Sequence, residues 1–218
     1  MSPACVQRFL IILSLKIVSE VTNMRAFWKN GQVVSLKLAE NIYTITQMFE
    51  KKDELVFFNI FREQDDWHGI NLNNEKILFI LPTVNIVRAF GERKITNDEV
   101  IALKEIQLPI IKISSFINKI ENFHKGEYHL KGGCLLQEDG DENIIIKENL
   151  DVVKDRDDIL NYEFDSLYIP EHVRARLLFN KMYHEDFDFF KYKIFPNLYS
   201  DKYLKKHLEL VEKFDIKL

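Results

Sequence analysis

Residues 31–61 read GQVVSLKLAENIYTITQMFEKKDELVFFNIF, a segment that holds three short runs rich in β-branched and aromatic residues. The runs cover residues 32–38, 42–49 and 55–61, and only short polar segments separate them. Because so few residues join successive runs, each connection is expected to be a tight turn. The segment therefore predicts antiparallel strands that follow one another in a meander.

The same pattern continues on the C-terminal side of this segment. Residues 76–81 (KILFIL) and 85–90 (NIVRAF) add two predicted strands, with Pro82 and Thr83 between them. Five short strands linked by short polar turns predict a curved antiparallel sheet or a partly open small barrel. A mixed region follows, in which Asp98 gives residues 97–104 the appearance of a helix start.

The C-terminal part of the chain has helical spacing. Pro170 suits the first turn of a helix, where a proline is tolerated. A final helix is predicted to begin at Ser200 or Asp201. The predicted fold class is therefore α+β, with an N-terminal antiparallel curved sheet or partly open small barrel, a mixed middle region and a helical C-terminus.

The length of 218 residues suits one large domain or two small ones. The prediction divides the chain into an N-terminal extension (1–23), a β-rich half (24–95) and an α+β half that ends in helices (96–218). It leaves open whether the two halves form one continuous domain. The extension contains the apolar run FLIILSLKIV at residues 9–18, which is too short to span a bilayer and lacks a small-residue cleavage site after it. It is expected to be dispensable, or else an amphipathic helix that packs on the body.

Composition excludes several kinds of chemistry. The seven glycines are too few for a Gly-rich phosphate-binding loop to be expected, and the six histidines show no metal-ligand spacing. The two cysteines, Cys5 and Cys134, form neither a metal pattern nor a disulfide framework, which indicates a reducing, cytoplasmic compartment. A net charge of -4 disfavours direct binding to nucleic acid. We therefore predict no enzyme activity, no catalytic or metal-binding residue and no cofactor, and no association with a membrane.

The acidic charge is concentrated in residues 121–165, which contain thirteen Asp and Glu against five Lys and Arg. Within this stretch, residues 138–142 (EDGDE) are predicted to form a hairpin turn between strands at 128–137 and 143–147. Such a stretch is either a solvated face or a negative surface that attracts a basic partner. The candidate partner-binding residues here are Glu138, Asp139, Asp141 and Glu142.

Asp65 and Asp66 form a second candidate pair, because they directly follow a predicted strand and precede Trp67. An exposed tryptophan beside carboxylates could anchor a basic partner. The preferred interpretation is that Trp67 folds back onto the sheet while the two aspartates form a turn. The role of the two carboxylates is left open.

The β-rich half resembles the immunity protein 26 family of bacterial polymorphic toxin systems, over about half of the chain. The resemblance is carried by hydrophobic patterns with few diagnostic polar residues: Gly31-Gln32-Val33-Val34 with Leu36 and Leu38, Tyr43, Gln47-Met48, Phe57-Phe58-Asn59-Ile60-Phe61-Arg62, residues 77–81 and Gly91-Glu92-Arg93. The chain has Asn30-Gly31 where the family commonly has a Gly-Asp type of turn. The resemblance implies a cytoplasmic antidote that binds and neutralises a cognate toxin domain, often a nuclease, and offers no catalytic residues. The expected partner is therefore a toxin protein, and a basic one.

Two other functions are compatible with the sequence. The first is a non-catalytic β-barrel binding module that reads a peptide or nucleic acid through exposed aromatic rings. The second is an enzyme with a scattered site, which predicts a deep pocket where His68 or His129 meets Asp or Glu.

Overall fold

The computed structural model describes residues 29–49, 54–82, 85–117, 130–140, 142–165 and 168–217. The described strands are β1 (Val33–Ala39), β2 (Ile42–Phe49), β3 (Glu54–Arg62), β4 (Ile70–Asn71), β5 (Ile77–Pro82), β6 (Gly91–Lys94), β7 (Val100–Ile101), β8 (Ile111–Ile117), β9 (Leu130–Asp139) and β10 (Glu142–Lys147). The described α-helices are α1 (Asn85–Phe90), α2 (Arg156–Asn161), α3 (Pro170–Tyr183), α4 (Phe189–Ile194) and α5 (Asp201–Lys213). The N-terminal extension (1–23) lies outside the described residues.

The N-terminal part forms a five-stranded antiparallel sheet with the order β5-β3-β2-β1-β6. The predicted meander of β1, β2 and β3 is confirmed, as is the α+β class. The sheet is open rather than closed into a barrel. Side chains alternate between its two faces, and both faces are buried, which explains why the strands read as nearly continuous apolar runs.

The prediction of a strand at residues 85–90 is wrong, because this segment forms the helix α1. Its buried residues Ile86 and Val87 and its half-buried Phe90 follow helical spacing, and the helix contacts α3 and β1. A short apolar run does not by itself distinguish a strand from a buried helix. The fifth strand of the sheet is β6, which begins at Gly91; a Cβ there would lie 2.3 Å from the carbonyl oxygen of Val87.

The predicted helix start at residues 97–104 is also wrong. The segment forms a turn and then the short strand β7, which pairs in parallel with β4. The carboxylate of Glu99 accepts hydrogen bonds from the backbone N–H and the hydroxyl of Thr96, and it binds Arg93. These partners lie in the turn itself and in β6, so Glu99 stabilises the turn and not a helix start.

A second, three-stranded antiparallel sheet has the order β10-β9-β8. The two predicted strands are confirmed, but the turn between them is shorter than predicted, because β9 extends to Asp139 and β10 begins at Glu142. Gly140 occupies the left-handed position (φ +65°) that the tight turn requires. On the far edge of this sheet, Ile113 pairs with Phe164 in an isolated bridge. The remaining edge of the sheet is β10.

One hydrophobic core includes residues from both halves of the chain. It joins Leu36 and Phe57 of the first sheet to Leu177 and Phe179 of α3. Arg174 of α3 also donates a hydrogen bond to the carbonyl of Leu38 at 2.7 Å. The opposite face of the first sheet packs on a separate cluster around Trp67. None of the helices in the described ranges is long and apolar enough to cross a lipid bilayer.

An ionic network centred on the buried Arg176 anchors α3 to the segments around it. The guanidinium of Arg176 donates to both oxygens of Glu163, to both oxygens of Asp186 and, at 3.2 Å, to Asp188. The hydroxyl of Tyr168 lies 2.6 Å from a carboxylate oxygen of Glu163 and 2.8 Å from one of Asp188, and it can donate a hydrogen bond to either. Burial alone would raise the pKa of Glu163, but the nearby positive charges, chiefly Arg176, lower it to about 2.

Two histidines are packed among aromatic rings between α3, α4 and α5. The ring of His207 lies 4.7 Å from that of Phe189 and 5.1 Å from that of Phe187, and the ring of His172 lies 5.6 Å from that of Phe189. Neither ring nitrogen of His207 has a hydrogen-bond partner within the described residues. Burial lowers the pKa of each histidine to about 4, so both are neutral at pH 7.

Candidate partner interface

The edge strand β10 exposes three consecutive isoleucines. Ile144, Ile145 and Ile146 are 46%, 50% and 45% exposed, and none of the six residues of β10 is buried. Isolated exposed aliphatic residues are common on protein surfaces, but three in succession on an edge strand expose apolar side chains on both faces of the sheet. Within the described ranges, no strand lies on the outer side of β10.

The position of β10 follows from its pairing with β9. The hairpin turn at Gly140 places Asn143, Ile144 and Ile145 opposite Glu138, Gln137 and Leu136. On its neighbour β9, Cys134 and Leu135 are buried against the body. A register shift between Ile145 and Lys147 leaves Ile146 as an extra residue in a β-bulge. The regular part of the strand is therefore at residues 142–145.

An acidic turn borders the C-terminal end of β10. Lys147 lies 2.7 Å from Asp155 and 2.8 Å from Asp158, so that two carboxylates share one ammonium group. These partners raise the pKa of Lys147, and the pKa of Asp155 is lowered first by the backbone N–H of Asp151 and then by Lys147. Val153, at 81% exposure, stands in the same turn. Carboxylates therefore border the C-terminal end of β10.

The four acidic residues predicted around the hairpin turn take different positions. Asp139 and Glu142 are exposed and directly opposite each other in the hairpin. Glu138 instead accepts a hydrogen bond from Lys112 at 2.9 Å, and Lys112 also binds the buried Glu54 at 2.7 Å. Asp141 lies outside the described residues. Like charges directly opposite in a hairpin are destabilising, so the Asp139–Glu142 pair imposes a cost that a cationic partner would relieve.

Asp65 belongs to an internal network rather than to an open surface. Its carboxylate accepts hydrogen bonds from the indole N–H of Trp67 and from Arg93 at 2.8 Å, and Arg93 also binds Glu99. Arg93 is the main cause that lowers the pKa of Glu99 to about 2. Trp67 is fully buried, which confirms the prediction that it folds back onto the sheet.

Asp66 is exposed and binds the backbone N–H and the Nδ1 atom of His68. This hydrogen bond raises the pKa of His68 and lowers that of Asp66. His68 therefore pairs with a carboxylate, but on an open surface and not in a deep pocket, since its side chain is 69% exposed. The structure does not bring Asp66 together with the hairpin residues through any described contact.

The described residues also contain a cleft of about 280 Å³ between β5, β8 and residues 161–164. Its walls include Lys112 and Glu163 but, over the described ranges, no histidine or cysteine. Cys134 is buried, and burial raises the pKa of its thiol, which disfavours the reactive thiolate. His129 lies outside the described residues.

Sequence reasoning missed the isoleucines of β10. The run Asn143–Lys147 was predicted as a strand, but nothing in it indicates which of its residues face solvent. Consecutive isoleucines are typical of a buried strand. The one available signal was their position directly after the EDGDE turn, inside the most acidic part of the chain.

Comparison with known proteins gives one family. A family model described as a domain of unknown function (DUF8309) matches residues 23–200. No curated protein matches the chain, and no solved structure matches it.

Proposed function

We propose that this chain, which belongs to the DUF8309 family, is an immunity protein that binds and neutralises a cognate bacterial toxin domain. It acts in the cytoplasm by surface complementarity, without catalytic chemistry of its own. The observation that carries the proposal is the exposed isoleucine strand β10 inside an acidic rim. The proposal also draws on the resemblance to the immunity protein 26 family that the sequence of residues 28–93 predicts.

The chemistry of the surface matches a basic partner. A protein interface combines an apolar centre, which excludes water, with a polar rim that sets orientation. Here the centre is Ile144–Ile146, and the rim contains Asp139, Glu142 and the carboxylates around Lys147. Many nucleases bind phosphates through clustered Lys and Arg, so carboxylates placed there would occupy the substrate site and speed association.

The alternative of a module that reads nucleic acid or peptides through aromatic rings is less well supported. The large hydrophobic side chains exposed in the described part of the chain are aliphatic, whereas base stacking needs exposed Phe, Tyr or Trp. The most prominent aromatic candidate, Trp67, is buried. An enzyme is also less well supported, because the cleft between β5 and β8 brings no histidine or cysteine to its described walls.

Coexpression with a neighbouring toxin gene tests the proposal. The toxin domain encoded beside this chain is expected to stop growth alone, to be neutralised by this chain, and to copurify with it. Binding should weaken as the salt concentration rises, because the attraction is partly electrostatic. Toxicity that persists with the intact chain present, together with no complex between the purified proteins, would remove the proposal.

Charge reversal at the hairpin is the corresponding mutational prediction. Asp139→Lys with Glu142→Lys is expected to weaken toxin binding about tenfold, mainly through slower association, and to flatten its salt dependence. Affinity and association rate are measured by surface plasmon resonance at several salt concentrations. Glu209→Lys with Glu212→Lys is the matched control, since both residues are exposed on α5. An equal loss in the control would assign the effect to net charge rather than to this surface.

A further inference from the structure

We propose that β10 binds its partner by strand addition, and that the partner contributes an extended aliphatic segment with Lys or Arg at its ends. This inference rests on the proposed function and specifies how its surface would be used. The inner side of β10 is paired with β9, whereas its outer side carries no strand within the described ranges. A partner segment there would extend the sheet β10-β9-β8 by one strand and would pair with the outward-facing backbone groups of β10.

The exposure of both sides of β10 supports an occupant that contacts the whole strand. Successive side chains of a strand point to opposite faces, so Ile144 and Ile145 lie on opposite faces of the sheet, and both are about half exposed. A partner that covered only one face would leave the other isoleucine in water. An added strand places its own alternating side chains beside both isoleucines.

Charge decides which occupant fits. Asp139 and Glu142 stand at one end of the strand, and at the other end the charge of Lys147 is already shared between Asp155 and Asp158. Glu148 is exposed immediately beyond. Both ends of the edge are therefore negative. A second copy of this chain would bring two such edges together, whereas a cationic segment relieves the repulsion.

The bulge at Ile146 limits where the added strand can pair. Bulges interrupt the regular ladder and are a common means by which edge strands avoid indiscriminate pairing. The regular stretch ends at Ile145, since the register with β9 shifts between Ile145 and Lys147. Hydrogen bonds from the partner are therefore expected along residues 142–145, with Ile146 contributing side-chain contact.

Hydrogen exchange with a defined probe tests the inference on the full chain. The probe is a synthetic peptide of alternating isoleucine and threonine with lysines at both ends. A matched peptide carries glutamates at the ends. At a concentration of lysine peptide about ten times its dissociation constant, the outward-facing amides of β10 should exchange about tenfold more slowly. The glutamate peptide should bind at least about tenfold more weakly. Unchanged exchange along β10 at saturating lysine peptide, or equal binding of the two peptides, would overturn the inference.

Two double variants test whether the peptide binds β10 or other exposed apolar residues. Ile144→Ser with Ile145→Ser is expected to weaken binding of the lysine peptide about tenfold, while Ile101→Ser with Leu208→Ser, both also exposed, leaves it unchanged. Circular dichroism checks that both variants fold, and the exchange experiment on the unmodified chain stands without them. Equal binding by both variants would count against β10 as the docking strand.

The failure of this inference can be told apart from failure of the proposed function. A toxin domain that is neutralised while the amides of β10 exchange as in the free chain would overturn strand addition alone. A chain that binds the lysine peptide along β10 but does not protect against the toxin would overturn the immunity function alone. A wild-type dimer in sedimentation that Ile145→Ser dissociates would overturn the cationic partner and assign the edge to a second copy.

Discussion

Arg176→Leu is expected to destabilise the protein by about 3–5 kcal/mol at pH 7. The guanidinium of Arg176 holds Glu163, Asp186 and Asp188 together, and Asp188 is only 2% exposed. Without the arginine, these carboxylates remain close together with Lys191 as the other nearby cation. Urea denaturation followed by tryptophan fluorescence measures the difference in the free energy of unfolding.

The pH dependence distinguishes loss of charge from loss of packing. In the variant, the buried carboxyls should have pKa values above those of the unfolded chain. Such groups destabilise the folded state as the pH rises through their folded pKa. The difference in the free energy of unfolding between wild type and variant should therefore become smaller toward pH 4. Arg156→Leu is the control, because Arg156 is exposed on α2, and it should change the free energy by less than about 0.5 kcal/mol. A deficit for Arg176→Leu that stays constant with pH would indicate lost packing instead.

The second large effect is a loss of stability in acid caused by His207. Its folded pKa of about 4 lies below the ordinary value of 6.5, so the unfolded chain binds the proton first as the pH falls. Stability is therefore complete above pH 6.5 and declines toward pH 4, by about 3 kcal/mol for this histidine. His172 is shifted in the same direction and adds to the decline.

His207→Phe is expected to remove this part of the acid sensitivity, since phenylalanine can pack between Phe187 and Phe189 without taking up a proton. Free energies of unfolding at pH 7.5, 6, 5 and 4 give the slope for each protein. His68→Phe is the control, because His68 is exposed and its pKa is raised, so its loss should leave the acid-side decline in place. An identical slope in wild type and His207→Phe would show that the decline has another source.

The sequence predicted the elements that depend on local pattern. The strand β2 was placed at its observed residues, and β1, β3 and β5 within about a residue of theirs, because β-branched and aromatic runs between short polar turns leave few alternatives. Pro170 does begin α3, as its fixed backbone angle suggested. The helix α1 was missed because the six residues NIVRAF are too few to distinguish the spacing of a helix from that of a strand. Its packing on α3 and β1 determines that the segment is helical.

The candidate site could be predicted only in part, for physical reasons. The acidic hairpin turn is a local feature, so the dipeptide Asp139-Gly140 was enough to predict it. The role of Asp65 depends on Arg93, 28 residues away, and that of Glu138 on Lys112 in another strand. The exposure of Ile144–Ile146 depends on whether another part of the chain packs over β10, which is a property of the tertiary structure. The local sequence does not encode it, and a run of isoleucines by itself predicts a buried strand.

The shared core has a consequence for how the chain can be divided. The face of the first sheet that carries Leu36 and Phe57 is covered by α3, so a fragment ending near residue 95 would present that face to water. Such a fragment is expected to aggregate, and the intact chain to melt in a single all-or-none step. The β10 edge is therefore expected to depend on both halves of the chain, and an engineered minimal version would have to retain both.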